Sequence, residues 1–302
     1  MGQGMDAETG LGLARGLLKA GSPEAIAEGM AALQGAVRDG DAEASCLMAV
    51  LLGMGVGAPR NLDLALDTLR AAARGGSRSA RDQLAVLAPG DSQVRVEDWT
   101  APCEKRVLSA SPRVVAIDGF LSRPVCDWII ARAAPRLEPA KVYGADATAQ
   151  SGGRGRSNTA FEFDFLDFDM VLLMVRARIA ATIGVPAGAL EPPQVLHYEV
   201  GERFARHHDY LDPGLAAHAA DIAQRGQRAV TFLIYLNADF DGGETDFPLL
   251  GLRHKGAPGD ALYFGNLDAA GEGDPRTVHE GLAPLSGEKW LLSQWIRNRA
   301  RV

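Results

Sequence analysis

The sequence is poor in cysteine and has no block of positive charge. Its three cysteines, Cys46, Cys103 and Cys126, lie far apart, which fits neither a disulfide framework nor a cysteine-based metal site. We therefore expect a reducing compartment. The formal net charge is −7, and lysine and arginine are scattered along the chain. This argues against a nucleic-acid backbone as the main partner.

A long apolar run is also missing. The longest stretch without a charged residue, 44–59, contains glycine and has about 16 residues, fewer than the roughly 20 that span a bilayer. The first twenty residues carry Asp6, Glu8, Arg15 and Lys19 instead of the charged-then-apolar order of a secretion signal. We expect a soluble, cytoplasmic protein without a membrane partner.

The first ninety residues are rich in alanine, glycine and leucine, and they repeat. A shift of 36 residues sets Leu33 on Leu69, Ala36 on Ala72, Gly40 on Gly76 and Ala44 on Ala80. Such a period, with a glycine closing each helix, is typical of a helix-turn-helix solenoid. The segment resembles tetratricopeptide-like repeats in their short Sel-one-like form. It is either a packed scaffold or a concave surface for a partner.

Proline, glycine, serine and charged residues accumulate after this segment, which indicates a linker. We predict a helical-repeat domain at 1–91, a linker at 92–113 and a second domain at 114–302. Residues 144–158 are polar and rich in glycine, which indicates either a mobile lid over a site or a surface insertion.

The second domain alternates short apolar segments with turns. After helices predicted at 123–134 and 169–182, strands are predicted at 194–198, 204–209, 229–237, 260–264, 277–279 and 290–296. Many short strands with glycine and proline turns favour an antiparallel jelly roll, closed enough to hold a site.

A single residue separates His207 from Asp209, so on a strand both side chains would point to the same face. They are two thirds of a 2-His-1-carboxylate triad, which leaves open positions on Fe(II). His279, beyond several predicted strands, is the candidate third ligand, since a later strand of a closed sheet can return to the first. Lys289 follows ten residues further on. This spacing is suited to place its ammonium beside the metal, where it would bind the carboxylate of a small acid.

Further motifs surround these residues in a fixed order. Tyr198 and Gly201 form a Tyr-x-x-Gly sequence before His207, residues 242–247 read Gly-Gly-Glu-Thr-Asp-Phe, and residues 259–264 read Gly-Asp-Ala-Leu-Tyr-Phe. With these motifs the region from about Val114 to Arg299 resembles the Fe(II)- and 2-oxoglutarate-dependent dioxygenases of the prolyl 4-hydroxylase type.

The resemblance implies an α+β chain, with a double-stranded β-helix (jelly roll) domain preceded by the all-α repeats. It implies His207, Asp209 and His279 as catalytic ligands of Fe(II), with ascorbate as the reductant. Lys289 would pair with the distal carboxylate of 2-oxoglutarate, and Tyr198 and Thr245 would also contact this co-substrate.

The resemblance also implies hydroxylation of prolyl residues in a peptide or protein, with decarboxylation of 2-oxoglutarate to succinate. Glu191, Arg228 and Trp295 match positions that line the family's peptide groove, although ion pairs and a core tryptophan explain them equally well. The chain departs from the family at Phe204, where a tyrosine is usual, so a hydroxyl is lost from the site. Two alternatives stay open: a hydroxylase of a free amino acid or other small molecule, and an oxygen or 2-oxoglutarate sensor that binds a partner through its repeats.

Overall fold

A computed structural model of the chain describes residues 10–88, 90, 93–143, 149–151 and 155–300. The chain forms two compact units, Met1–Thr100 with Phe165–Val175, and Ala101–Asp164 with Arg176–Val302. The segment Phe165–Val175, which the sequence placed in the second domain, therefore belongs with the helices. Its apolar side chains explain this grouping: Phe165 packs on the helical core, and Leu173 lies against Gly53.

In the residues that the structure describes, the first unit consists of helices and the turns between them, as predicted. Its helices are α1 (Gly10–Ala20), α2 (Pro23–Arg38), α3 (Ala42–Met54), α4 (Leu62–Arg74), α5 (Arg78–Leu87) and α6 (Val96–Thr100). The 36-residue period of the sequence is visible in the helix ends: α2 and α4 end at Arg38 and Arg74, and α3 and α5 begin at Ala42 and Arg78.

Equivalent caps explain why these helices recur. Gly40 and Gly76 have positive φ, 86° and 109°, a conformation that glycine adopts at little cost after a helix. The next helix then begins with a side-chain cap: Asp41 accepts from the backbone amide of Ala44 at 3.0 Å, and Ser77 accepts from the backbone amide of Ala80 at 3.0 Å. These caps satisfy amides that the first helical turn leaves unpaired.

The second unit is built mainly of strands. They are β1 (Arg106–Ala110), β2 (Arg113–Ile117), β3 (Glu138–Pro139), β4 (Lys141–Tyr143), β5 (Ala149–Ser151), β6 (Thr159–Glu162), β7 (Gln194–Tyr198), β8 (Phe204–His207), β9 (Arg228–Tyr235), β10 (Phe240–Gly242), β11 (Thr245–Phe247), β12 (Leu252–His254), β13 (Ala261–Gly265), β14 (His279–Gly281), β15 (Pro284–Gly287) and β16 (Lys289–Arg297). The remaining helices are α7 (Arg123–Ala133), α9 (Ala216–Arg225) and α8 (Met170–Ile183), whose residues up to Val175 belong to the first unit.

Two antiparallel sheets enclose the core of this unit. The larger has the order β1-β2-β13-β9-β16-β7-β6-β3, and the smaller has the order β12-β11-β14-β8. Alternate residues of β2, β7, β9 and β13 share a buried cluster with Phe247 of β11, as the period of two in a strand requires. The predicted α+β fold with a jelly-roll domain is confirmed.

Two segments differ from the sequence-based prediction. Residues 92–113, predicted to be a linker, contain α6 and β1, and β1 pairs with β2 at the edge of the larger sheet. An edge strand needs one neighbour and no buried face, so β1 lacks the apolar alternation that would have identified it. Within the predicted lid at 144–158, β5 pairs with β4, whereas 144–148 and 152–154 lie outside the described residues.

Gly259, in the turn before β13, provides a test of the fold. Its φ is +90°, and a Cβ there would lie 2.0 Å from the carbonyl oxygen of Leu121. We expect Gly259→Ala to lower the free energy of unfolding by about 2–3 kcal/mol, because strained backbone and a steric clash combine. Denaturant unfolding measures the loss.

Gly271→Ala is the matched control. Gly271 also has positive φ, +84°, but a Cβ there meets no atom within 4 Å. Only the backbone strain remains, so its expected cost is about 1 kcal/mol. Equal losses in the two variants would show that the contact with Leu121 has no energetic effect.

Candidate active site

The three candidate ligands meet at one end of the smaller sheet. His207 is the last residue of β8 and pairs in register with His279, the first residue of β14. Asp209 follows β8 and brings its carboxylate between the two rings, 3.5 Å from His207 Nε2 and 3.6 Å from His279 Nε2. Ligand atoms of all three lie within 4.8 Å of one another, and no second such group occurs among the described residues.

Backbone carbonyls orient both imidazoles. His207 Nδ1 donates to the oxygen of Ala205 at 2.8 Å, and His279 Nδ1 donates to the oxygen of Thr277 at 3.0 Å. With its proton on Nδ1, each neutral ring has its lone pair on Nε2, the atom that faces Asp209. Phe204 stacks on His207 with ring centroids 3.5 Å apart. The aromatic ring retained at position 204 thus packs against a candidate ligand and restricts its orientation.

The charges of the cluster suit a cation. Burial alone would raise the pKa of Asp209, but the neighbouring His279 and His207 and a hydrogen bond from the Thr231 hydroxyl outweigh it, and the pKa lies well below its usual range. Burial, with the neighbouring His207, lowers the pKa of His279 to about 4. At neutral pH the site therefore offers an ionised carboxylate and a neutral imidazole, the forms that bind metal.

Lys289 is the first residue of β16 and has no exposed surface. Its Nζ has no hydrogen-bond partner among the described residues and lies 5.0 Å from the centre of the Tyr198 ring. Burial lowers the pKa of Lys289 to about 7, because an ammonium without a partner is poorly solvated there. This side chain lines the same cavity as the three candidate ligands.

Tyr198 and Thr245 also line this cavity. Tyr198 lies opposite Lys289 in the β7–β16 pairing, and burial raises the pKa of its hydroxyl to about 12. The Thr245 hydroxyl is 2.9 Å from that of Tyr235, which donates to the oxygen of His254 at 3.0 Å. Tyr235 therefore accepts from Thr245, and this bond fixes the threonine rotamer.

Arg156 is a cavity residue that the sequence did not indicate. It is 7% exposed and lies in the predicted lid, where residues on either side pair with β8: Ala205 donates to Gly155 and Ser157 donates to Arg203. Its guanidinium stands 4.4 Å over Phe204, and its Nε donates to Asn158. The sequence did not indicate this position, because a polar segment without hydrophobic periodicity gives no local sign that it pairs with a strand.

The three predicted substrate residues form one cluster beside the cavity. Arg228 makes a bidentate ion pair with Glu191, at 2.8 and 3.0 Å, and its guanidinium stands 3.6 Å over the ring of Trp295. Arg297, which sequence reasoning missed, also donates to Glu191 at 2.5 Å. Glu191 and Arg228 therefore do form the ion pair that the sequence allowed as an alternative explanation. The Nε1 of Trp295 is buried without an acceptor among the described residues.

Trp295 also lines a second, larger groove. The other residues that line this groove belong to α9 or are close to it in space, among them Glu191 and Arg228. The same tryptophan lines the cavity of the candidate ligands, so the two spaces share one side chain.

Comparison with known proteins agrees with this geometry. Residues 193–297 match the family model described as the 2OG-Fe(II) oxygenase superfamily. Prolyl 4-hydroxylase 1 of Arabidopsis thaliana is 34% identical over 208 residues, which cover 64% of this chain and 72% of the relative. The chain belongs to the prolyl 4-hydroxylase family of 2OG-Fe(II) oxygenases.

A second curated relative is consistent with this membership. Prolyl 4-hydroxylase 13 of the same plant is 30% identical and covers 64% of this chain and 73% of the relative. Among solved structures, a viral collagen prolyl hydroxylase from Paramecium Bursaria Chlorella virus-1, in complex with 2OG, is 27% identical, with a TM-score of 0.48, over 61% of this chain and 94% of that chain.

Membership in the prolyl 4-hydroxylase family confirms that the protein is a 2-oxoglutarate-dependent dioxygenase. It also confirms Fe(II) and 2-oxoglutarate as cofactor and co-substrate, and ascorbate is the reductant typical of this family. The donor set fits Fe(II), because two imidazoles and a carboxylate converge in the combination known from non-haem iron oxygenases. No helix among the described residues is both long and apolar enough to cross a membrane.

Proposed function

We propose that this dioxygenase hydroxylates prolyl residues of a peptide or protein, with His207, Asp209 and His279 as its Fe(II) ligands. The observation that carries the proposal is the convergence of these side chains with the unpaired ammonium of Lys289 on one cavity, which shares Trp295 with a larger groove. When bound, Fe(II) couples decarboxylation of 2-oxoglutarate to succinate with hydroxylation of an unactivated C–H bond.

The chain's own residues position and shield this chemistry. Lys289 supplies the positive charge for the distal carboxylate of 2-oxoglutarate, and that ion pair gives the buried ammonium its partner. Tyr198 contributes its hydroxyl to the same cavity, and Thr245 lines it while its hydroxyl donates to Tyr235. Leu196, Leu233 and Leu291 line the remaining wall and keep water from the reacting groups.

The groove favours a peptide over a free amino acid. Its volume exceeds that of the cavity, and Trp295 lines both, so residues flanking the reacting proline have a binding surface. Aromatic and arginine side chains suit the extended conformation of proline-rich chains, which present ring faces and carbonyls. We assign Glu191, Arg228 and Trp295 to this surface, with Glu191 holding Arg228 against the indole.

The test of function is turnover by protein loaded with Fe(II) without oxygen, then given 2-oxoglutarate, ascorbate and air. A proline-rich peptide should stimulate succinate formation and gain the mass of one oxygen. The matched control replaces the proline of the responding peptide with alanine. If no peptide gains oxygen while a free amino acid or small molecule does, the peptide substrate is excluded and the dioxygenase remains.

Trp295→Phe tests the groove. It removes the Nε1 donor and keeps an aromatic ring, so we expect KM for peptide to rise roughly threefold to tenfold through loss of one hydrogen bond to a peptide carbonyl. Steady-state kinetics with the peptide as varied substrate measures the change.

The control lies on the same strand. Trp290 is also largely buried, with its ring 4.2 Å from His197, and lines neither space. Trp290→Phe should leave KM for peptide at the wild-type value. The same rise in both variants would mean that loss of packing, and not the indole donor, explains the effect. Whether the helical repeats bind a partner remains a prediction.

A further inference from the structure

We infer that Asn266, acting through Thr231, is a positioning residue for Asp209. The inference rests on the proposed function, because it assumes that Asp209 is a metal ligand. Neither residue belongs to a motif that marked the site in the sequence. Both are buried, Thr231 with 1% and Asn266 with no exposed surface.

The three side chains form a directed chain of hydrogen bonds. The Thr231 hydroxyl donates to Asp209 Oδ2 at 2.7 Å, and Asn266 Nδ2 donates to the Thr231 oxygen at 3.0 Å. An ionised carboxylate only accepts, and a hydroxyl has one proton to donate. Asn266 must therefore present its amide nitrogen for the threonine proton to remain on Asp209.

The unpaired side-chain oxygen of Asn266 indicates that the residue is present for its hydrogen bond to Thr231. Oδ1 of Asn266 is buried without a partner among the described residues, and an unpaired buried acceptor is destabilising. An apolar residue of similar size would avoid this penalty. The asparagine is thus poorly explained by packing and well explained by the bond that its Nδ2 donates.

The backbone holds this chain of hydrogen bonds rigid. Thr231 lies within β9, opposite Phe264 of β13 and Trp295 of β16. Asn266 follows β13. Its backbone N–H donates to the backbone oxygen of Ala229 at 2.8 Å, and its backbone oxygen accepts from the Asp274 N–H at 2.9 Å. The larger sheet thereby anchors a carboxylate that follows a strand of the smaller sheet.

The hydrogen bond from Thr231 affects how the Asp209 carboxylate would bind a metal. Because Oδ2 is engaged by Thr231, the carboxylate is held in one rotamer and offers the metal one oxygen more readily than two. A ligand that occupies one position preserves the open positions that 2-oxoglutarate and oxygen require. Groups that orient a metal ligand in this way commonly affect metal affinity about tenfold to a hundredfold.

Co(II) binding tests the inference independently of turnover. Thr231→Val and Asn266→Leu keep the number and branching of the side-chain heavy atoms and remove the hydrogen bonds, and each is expected to weaken Co(II) binding about tenfold to a hundredfold. Thr231→Ser retains the hydroxyl and should bind Co(II) like the wild type. Calorimetric titration of the full chain gives the affinities, and the melting temperature of the metal-free variants verifies folding.

The outcomes separate the inference from the proposed function. Wild-type Co(II) affinity in Asn266→Leu overturns the role of Asn266, and equal losses in Thr231→Val and Thr231→Ser overturn the role of the hydroxyl. Asp209→Ala in the same titration tests the site itself. If Asp209→Ala binds Co(II) normally, the proposed metal site fails; if it does not bind and Thr231→Val does, only the positioning role fails.

Discussion

Replacing Asp209 with alanine is expected to lower turnover by at least about a thousandfold, because a metal centre contributes several kcal/mol to transition-state stabilisation and each 1.36 kcal/mol is a tenfold change in rate. Asp209 is the only anion of the triad and lies within 3.6 Å of both imidazoles. Its loss leaves two imidazoles and no carboxylate in the candidate site. Succinate formation and Co(II) affinity should both fall, and added Fe(II) should not restore turnover.

Asp169→Ala is the matched control for this variant. Asp169 is 4% exposed and Asp209 is 6% exposed, so each substitution removes a buried carboxylate. Asp169 accepts from the Leu172 amide at the start of α8 and is not part of the candidate site. The control should lose stability but keep Co(II) binding. Retention of turnover by Asp209→Ala would rule out the proposed ligand set.

The second large effect is expected at Lys289, in the pH dependence of 2-oxoglutarate binding. Burial holds its pKa near 7 in the free protein, opposed by the negative charge of Glu244 and assisted by the positive charge of Lys255. Binding a carboxylate requires the ammonium, so the lysine must take up a proton at any pH above about 7. The dissociation constant should therefore rise with pH above 7, approaching tenfold per pH unit.

Lys289→Arg separates this proton uptake from other pH effects. A guanidinium stays charged over the whole range, so the variant should show no rise of this kind, whatever its absolute affinity. Equal pH slopes in the wild type and in Lys289→Arg would show that the titration of Lys289 has no part in binding. Calorimetry between pH 6 and pH 9, roughly two units above the pKa, covers the transition.

The lowered pKa of Lys289 also predicts that the free protein becomes more stable as pH rises, whereas its binding of 2-oxoglutarate becomes weaker. The folded-state pKa is lowered from 10.5 to about 7, so between these values the unfolded chain binds the proton and the folded chain does not. The free energy of unfolding should therefore rise with pH across this interval. Lys289→Met, which has no charge to bury, should remove that rise, stabilise the free protein near pH 7 and weaken 2-oxoglutarate binding.

Much of this site could be predicted from short stretches of sequence. The 36-residue spacing of Gly40 and Gly76 predicted the recurrence of helix ends, because a cap is a local structure. The strands that carry His207, His279 and Lys289 were placed near their true positions, since alternation and turn residues act over a few neighbours. The assignment of His207 and Asp209 to one strand was wrong, because β8 ends at His207.

Other features depended on contacts between distant parts of the chain. Arg156, Thr231 and Asn266 lie outside the recognised motifs, and Arg297 joins Glu191 from the far end of the chain. Periodicity and turn chemistry show which segments become strands and helices. Which side chains then meet depends on strand register and on the packing of one sheet against the other. His207 and His279 could therefore be proposed as metal ligands from the chain alone, whereas the hydrogen bonds that link Asn266 and Thr231 to Asp209 became visible only when β9 and β13 were paired, because register is a property of the whole sheet.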